Sequence, residues 1–240
     1  MSPGTRLAAL VGLVLLGAAG AQAGLAAGLS FTSQALTPYR TCVISGTPGT
    51  TTAVADASVR QGTATSNVGT VTTNNVATQT GSLNRRLYIR FDLTQCSPAI
   101  PSTATVRLAT LRMYVSALPA VCRTVDVFRV TATWTEAAIT WNNQPFGTAI
   151  NNPASGSAID AFGVGTPVGC ENRTANVYTT GGVVTSNVAS FVAGTLTNFG
   201  WMLRDDVEGS ATAYTQTYSA KDLGTAAQAP QLVITYVVVP

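Results

Sequence analysis

FRVTATWTEAAITWNNQP, residues 128–145, is a β-rich run that gives way to two tryptophans and a polar turn, in a chain without histidine. Just upstream, Leu87, Ile89, Phe91 and Leu93 fall on one face of an extended segment while Tyr88, Arg90 and Asp92 fall on the other. That period of two is expected of a strand with one buried side. Leu111, Met113 and Val115 repeat the pattern and leave Arg112 and Tyr114 outward. Val106 and Leu108 have the opposite parity, which predicts a bulge or break near Ala109 if the strand is continuous. Further strands are expected around residues 54–60, 124–130, 175–179, 199–204, 212–219 and 232–238. Residues 145–170 carry Gly, Pro, Asn and Ser at short intervals and read as a long irregular connection, and residues 188–194 read as a short helical turn ended by Gly194. No repeat of 20 to 50 residues is present, which excludes a solenoid or propeller. The pattern predicts an all-β chain, an antiparallel two-sheet sandwich of the jelly-roll kind.

Residues 1–23 read as a cleaved secretory signal: one positive charge at Arg6, an apolar run from Leu7 to Leu16, and Ala21-Gln22-Ala23 ahead of the cut. The run is shorter than the roughly 20 residues that span a bilayer, and nothing downstream offers a second span, so no membrane crossing is expected in the mature chain. Cleavage leaves 12 basic and 10 acidic residues, a net charge of +2. That is too small and too scattered to argue for nucleic acid. Only Lys221 is a lysine. Four cysteines, Cys42, Cys96, Cys122 and Cys170, predict two disulfides in a secreted protein. Cys96 and Cys122 follow successive antiparallel strands and should lie at opposite ends of the sandwich, so a bond between them is the least expected. Of the other two pairings, Cys42 with Cys96 and Cys122 with Cys170 is preferred.

In order along the chain stand Ala55-Asp56-Ala57 with Val59, Leu87-Tyr88-Ile89-Arg90-Phe91-Asp92-Leu93, Leu111-Arg112-Met113-Tyr114-Val115, Trp134-Thr135-Glu136 with Thr140-Trp141-Asn142-Asn143-Gln144-Pro145, Phe199-Gly200-Trp201-Met202-Leu203-Arg204, and Pro230-Gln231-Leu232-Val233-Ile234-Thr235-Tyr236. From about residue 55 to 236 this series resembles the DNRLRE domain, which overlaps with carbohydrate-binding module family 96. The string that names the domain is absent, and Ser219-Ala220-Lys221-Asp222 stands where a more Arg/Glu-rich segment is expected. The resemblance implies one β-sandwich domain over 55–240, preceded by an N-terminal arm or first edge segment over 24–54. It also implies a secreted, extracellular or cell-surface protein that binds a polysaccharide or cell-surface glycan without catalysis.

Without histidine the Ser-His-Asp arrangement and the commonest general base are excluded. Paired carboxylates remain a route to glycoside hydrolysis. Asp205, Asp206 and Glu208 form the densest cluster, with Glu136 and Asp92 as possible partners. The same cluster also reads as a solvated turn, or as a calcium site through Asp205 and Glu208, although no complete calcium loop is present. No other cofactor is expected. For sugar binding, aromatic rings stack on the apolar C–H face of the ring while amides and guanidiniums bond its hydroxyls. Trp141, Asn142, Asn143 and Gln144 supply both kinds of group, and Tyr88, Arg90, Arg112 and Tyr114 form an outward ladder if their strands pair. Arg90 and Arg112 suit an acidic polysaccharide. Each group also has a structural reading: tryptophans as core, Asn142 to Pro145 as a backbone-satisfying turn, the ladder as a solvated face. A second function class is a structural or assembly protein whose arm before Pro38 adds to a neighbour's sheet edge. Asn172-Arg173-Thr174 has the N-glycosylation pattern.

Overall fold

A computed structural model describes residues 38–46, 52–151 and 156–238. The expected signal segment and the arm ahead of Pro38 lie outside the described residues. Among the described residues twelve strands and one α-helix follow in order: β1 (Arg40–Ser45), β2 (Val54–Arg60), β3 (Thr73–Thr78), β4 (Arg85–Phe91), β5 (Thr105–Arg112), β6 (Tyr114–Ala117), β7 (Arg123–Arg129), β8 (Asp160–Val164), β9 (Val177–Tyr178), α1 (Thr185–Val192), β10 (Trp201–Asp205), β11 (Tyr214–Ser219) and β12 (Gln231–Val237). They form two antiparallel sheets. The small one runs β1-β12-β5, and the large one runs β8-β7-β10-β4-β3-β11-β6-β9 with β2 also on β4. Strand β2 pairs with β4 along its whole length, from Val54 opposite Phe91 to Arg60 opposite Arg85, whereas β3 meets β4 only at Ala77 and Arg85. The large sheet is strongly curled. The all-β sandwich is as expected, with three and nine strands in place of the even division of a jelly roll.

The alternation in β4 is realised. Leu87, Ile89 and Phe91 point into the main core with Val125 and Val127 of β7 and Trp201 and Leu203 of β10, against Leu111 of β5 and Leu232, Ile234 and Tyr236 of β12. Helix α1 closes this core by placing Phe191 5.7 Å from the Trp201 ring, and Trp201 Nε1 donates to Asn187 Oδ1 at 3.0 Å. The helix begins at Thr185, ahead of the expected turn, and Gly194 follows it with φ +70°. The bulge falls two residues from its predicted place. Thr235 pairs with Leu108 and Tyr236 with Val106, so Arg107 is the extra residue, Val106 and Ala109 both face inward, and Leu108 is exposed.

A second core lies on the back of the large sheet. Ala55, Ala57 and Val59 of β2, Tyr88 of β4, Met202 of β10 and Phe128 of β7 are covered there by Trp134, Ile139, Trp141 and Phe146. The tryptophan segment therefore doubles back over the sheet that precedes it. Two strands were not legible in the sequence, the polar β3 and β8 inside the expected long connection, while β1 lies at the edge of the small sheet within the segment expected as an arm or first edge segment. The disulfides are Cys42–Cys96 and Cys122–Cys170, the preferred pairing. Among the described residues no helix is long and apolar enough to cross a membrane.

Candidate functional site

The second core overturns part of the expected site. Tyr88, Trp141 and Gln144 are buried, not exposed, because the side of β4 that faces away from the main core is roofed by the tryptophan segment. Tyr88 Oη donates to Gln144 Oε1 at 3.1 Å, and Gln144 Nε2 donates to the Trp141 carbonyl at 2.9 Å. Arg86 holds the roof down. Its guanidinium lies 4.5 Å over the Trp141 ring, donates to both oxygens of Glu208 at 2.7 and 2.9 Å, and reaches the carbonyls of Gly147 and Ala149. Asn143 closes the turn, accepting from Thr140 N at 2.7 Å and donating to the Ala138 carbonyl at 2.9 Å. Asn142 is exposed, with its backbone N–H on the Ala64 carbonyl.

The expected Arg/Tyr ladder does not assemble, because β4 belongs to the large sheet and β5 to the small one. The chain crosses between sheets at Met113, which places Arg112 and Tyr114 beside Tyr178, a residue the sequence did not single out. The Arg112 guanidinium lies 4.6 Å over the Tyr178 ring and the two tyrosine rings are 5.3 Å apart. Arg112 also reaches Gln231 Oε1 at 3.5 Å.

Asp205 and Glu208, the calcium candidates, each face a different arginine. Glu208 is taken by Arg86, and buried Asp205 accepts from Arg123 Nε at 3.0 Å, from Arg123 Nη2, and from Gln216 Nε2 at 3.2 Å. Of the other three carboxylates, exposed Asp206 lies 3.4 Å from Arg123 Nη2, and Asp92 caps the turn that follows β4 by accepting from Thr94 N at 2.9 Å. Glu136 enters a cluster joining distant parts of the chain: Lys221 Nζ lies 2.9 Å from Glu136 Oε1 and 2.8 Å from Asp222 Oδ2, and Asp56 Oδ2 accepts from Lys221 N and Asn74 Nδ2. Asp56, Glu136 and Asp222 are close enough to share a cation, and the ammonium of the chain's one lysine supplies a cation there. Asn172 is buried, and its amide donates to the carbonyls of Gly163 and Thr180, so a glycan on this sequon would have to break both bonds.

Burial, with the charge of Glu136 beside it, pushes the Asp56 carboxyl up to about 7, and burial raises Glu136 as well. In the unfolded chain Asp56 loses its proton near pH ~4. Between those values the folded state holds more protons, so stability falls as pH rises through the window and levels off above it. We expect denaturation midpoints to drop from pH 4 to 7 by the equivalent of about 2–3 kcal/mol. Asp56→Asn should flatten most of that slope, and a slope unchanged by the substitution would place the titration elsewhere.

With these groups assigned to structure, Arg90 remains. It lines a cleft of about 330 Å³ together with Thr52, Ala55, Asp92 and Asn198. Its guanidinium stacks 5.5 Å from the Trp134 ring centroid and makes no hydrogen bond to a described residue. Trp134 is fixed from behind by Nε1 donating to the Phe199 carbonyl at 2.8 Å. A second hollow of about 210 Å³ lies against Trp134, bordered by Thr133, Thr135, Ile139 and Asn143. The backbone at Gly200 packs against the strand that carries Arg90. With φ +78°, a Cβ there would stand 2.1 Å from the Ile89 carbonyl oxygen and 2.8 Å from Arg90 Cβ. Asn198 bonds both sides of this contact, to the Phe91 carbonyl and the Gly200 N–H. Sequence alternation found Arg90. Nothing in it pointed to Asn198, which reaches the cleft from the loop before β10.

Residues 47–162 match the profile of carbohydrate-binding module family 96. The comparison with curated proteins gives no match. The matched range holds Arg90, Arg112, Tyr114 and the whole tryptophan segment. Strands β9 to β12 and Asn198 lie beyond it, although they complete the same two sheets.

Proposed function

We propose that this chain is a secreted, non-catalytic carbohydrate-binding module that takes part of a polysaccharide into the Arg90 cleft. The observation that carries the reading is the Arg90 guanidinium, stacked on Trp134 with its donors unspent at the mouth of a polar cleft. A sugar hydroxyl or carboxylate in the cleft would accept from those donors, and the neighbouring hollow offers room for an adjoining residue of the polymer. The family match supports a glycan as the ligand class, and the two disulfides fit an oxidising, extracellular compartment. The carboxylates singled out for hydrolysis are each engaged in structural bonds, which supports a binding role over a catalytic one.

Affinity electrophoresis against a panel of neutral and acidic polysaccharides tests this. Wild-type protein should be retarded by at least one polymer. Arg90→Gln should reduce the retardation about tenfold or more while shifting stability by less than about 0.5 kcal/mol, as for a surface substitution. Retention equal to wild type would remove the cleft from the binding site.

Self-association is the second reading, and β1 favours it. This strand pairs only with β12, so among the described residues its other edge is open, with Tyr39 and Val43 exposed beside it. Light scattering on the secreted protein decides: a mass that rises with concentration supports assembly, and a constant monomer mass excludes it.

A further inference from the structure

Two arginines stand directly opposite one another at the far end of β4. Arg60, the last residue of β2, pairs in register with Arg85, the first of β4. Like charges placed opposite across a strand pair repel. All ten acidic residues of the chain are among the described residues, and none forms an ion pair with either guanidinium. Arg85 Nη1 donates to the neutral Asn75 Oδ1 at 3.0 Å. The Arg60 side chain makes no hydrogen bond to a described residue, and its Nε is buried without a partner. Burial and the Arg85 charge both push the Arg60 guanidinium below its usual range.

The pair is also held in place. Gln61, which follows Arg60, donates its N–H to the Asn84 carbonyl at 2.9 Å, and Asn84, which precedes Arg85, donates its amide to Gln61 Oε1 at 2.6 Å. Between the arginines opens a hollow of about 160 Å³, bordered by Gly62, Thr63 and Leu83. Two fixed guanidiniums with spare donors, no carboxylate, and a hollow the size of one small group make a receptor for an oxyanion, whose paired oxygens match the guanidinium fork.

We propose that the Arg60–Arg85 hollow is an anion site that takes one carboxylate, sulfate or phosphate group. It is separate from the Arg90 cleft. Arg85 and Arg90 are five positions apart along β4, about 17 Å of extended chain, and project from opposite faces of the strand. The proposal therefore does not depend on a saccharide entering that cleft.

Thermal unfolding of the mature protein in sodium sulfate, against sodium chloride of equal ionic strength, provides the test. Sulfate stabilises most proteins by a general exclusion effect that grows with concentration, and that part should be the same in every variant. Binding should add a component that saturates, and it should disappear in Arg60→Gln and in Arg85→Gln but persist in Arg90→Gln. Without added anion both glutamine variants should melt at or above the wild-type temperature at low salt, because a repulsion has been removed; a structural pair would melt lower. Titrations with glucuronate, glucose 6-sulfate, glucose 6-phosphate and glucose then identify the preferred group, with glucose giving no response. A sulfate response that never saturates, or one that is unchanged in Arg60→Gln, would overturn the proposal.

Discussion

Replacing Trp141 by alanine should cost about 3–5 kcal/mol of stability, read from urea denaturation midpoints. The ring is almost fully buried in the second core, under the Arg86 guanidinium at 4.5 Å. Its removal would open a void over Tyr88 and leave the charge of Arg86 above it. Trp141→Phe, which keeps part of the contact, should lose less. A tryptophan that served as an exposed sugar platform would give the opposite pattern, with binding lost and stability almost untouched, so the two roles separate in one experiment.

Arg86→Ala should be equally damaging, at about 3–5 kcal/mol, because it leaves Glu208 buried and unpaired. Both side chains are inaccessible to solvent. Glu208 keeps the Asn151 N–H at 2.7 Å, while Gln144 and the carbonyls of Gly147 and Ala149 lose their donor. Glu208→Ala should be damaging for the converse reason. Replacing both by apolar residues of similar volume should recover much of either single loss, since such pairs repay little more than their own desolvation. A double-mutant cycle measures this, and additive losses would show that the two charges do not depend on each other.

The two faces of β4 could be read from the sequence because side-chain period and burial are linked: Leu87, Ile89 and Phe91 entered the main core as the alternation requires. What the same alternation cannot say is whether the other face meets water. Tyr88 and Arg90 share a face, yet the first is roofed by the tryptophan segment and the second stops at its margin. That outcome depends on where residues 131–150 return, a long-range matter with no local signature. The polar run Thr73-Asn74-Asn75-Val76-Ala77-Thr78 is the core-lining strand β3, hidden because its buried amides find partners only across the fold, as Ser58 does with Asn74 at 3.0 Å. Lys221 stood out in the sequence only as the one lysine. Its partner Glu136 is 85 positions away, and only the register of the sheets brings them together. The Arg60–Arg85 pairing was likewise invisible until β2 was aligned on β4. The cysteines were better served by sequence, because strand direction alone argued against joining Cys96 to Cys122.

Whether a saccharide enters the Arg90 cleft is read most directly from the indole N–H resonances of the three tryptophans during titration with oligosaccharides from whichever polymer retards the protein. Trp134 borders the cleft's arginine, Trp141 is sealed beneath Arg86, and Trp201 lies in the main core. The Trp134 signal should move in a saturable way while the other two stay fixed, and Arg90→Gln should abolish the movement. Saturable binding that leaves Trp134 unmoved and instead perturbs the Arg112, Tyr114 and Tyr178 side chains would place the glycan where β5 gives way to β6 and contradict the assignment.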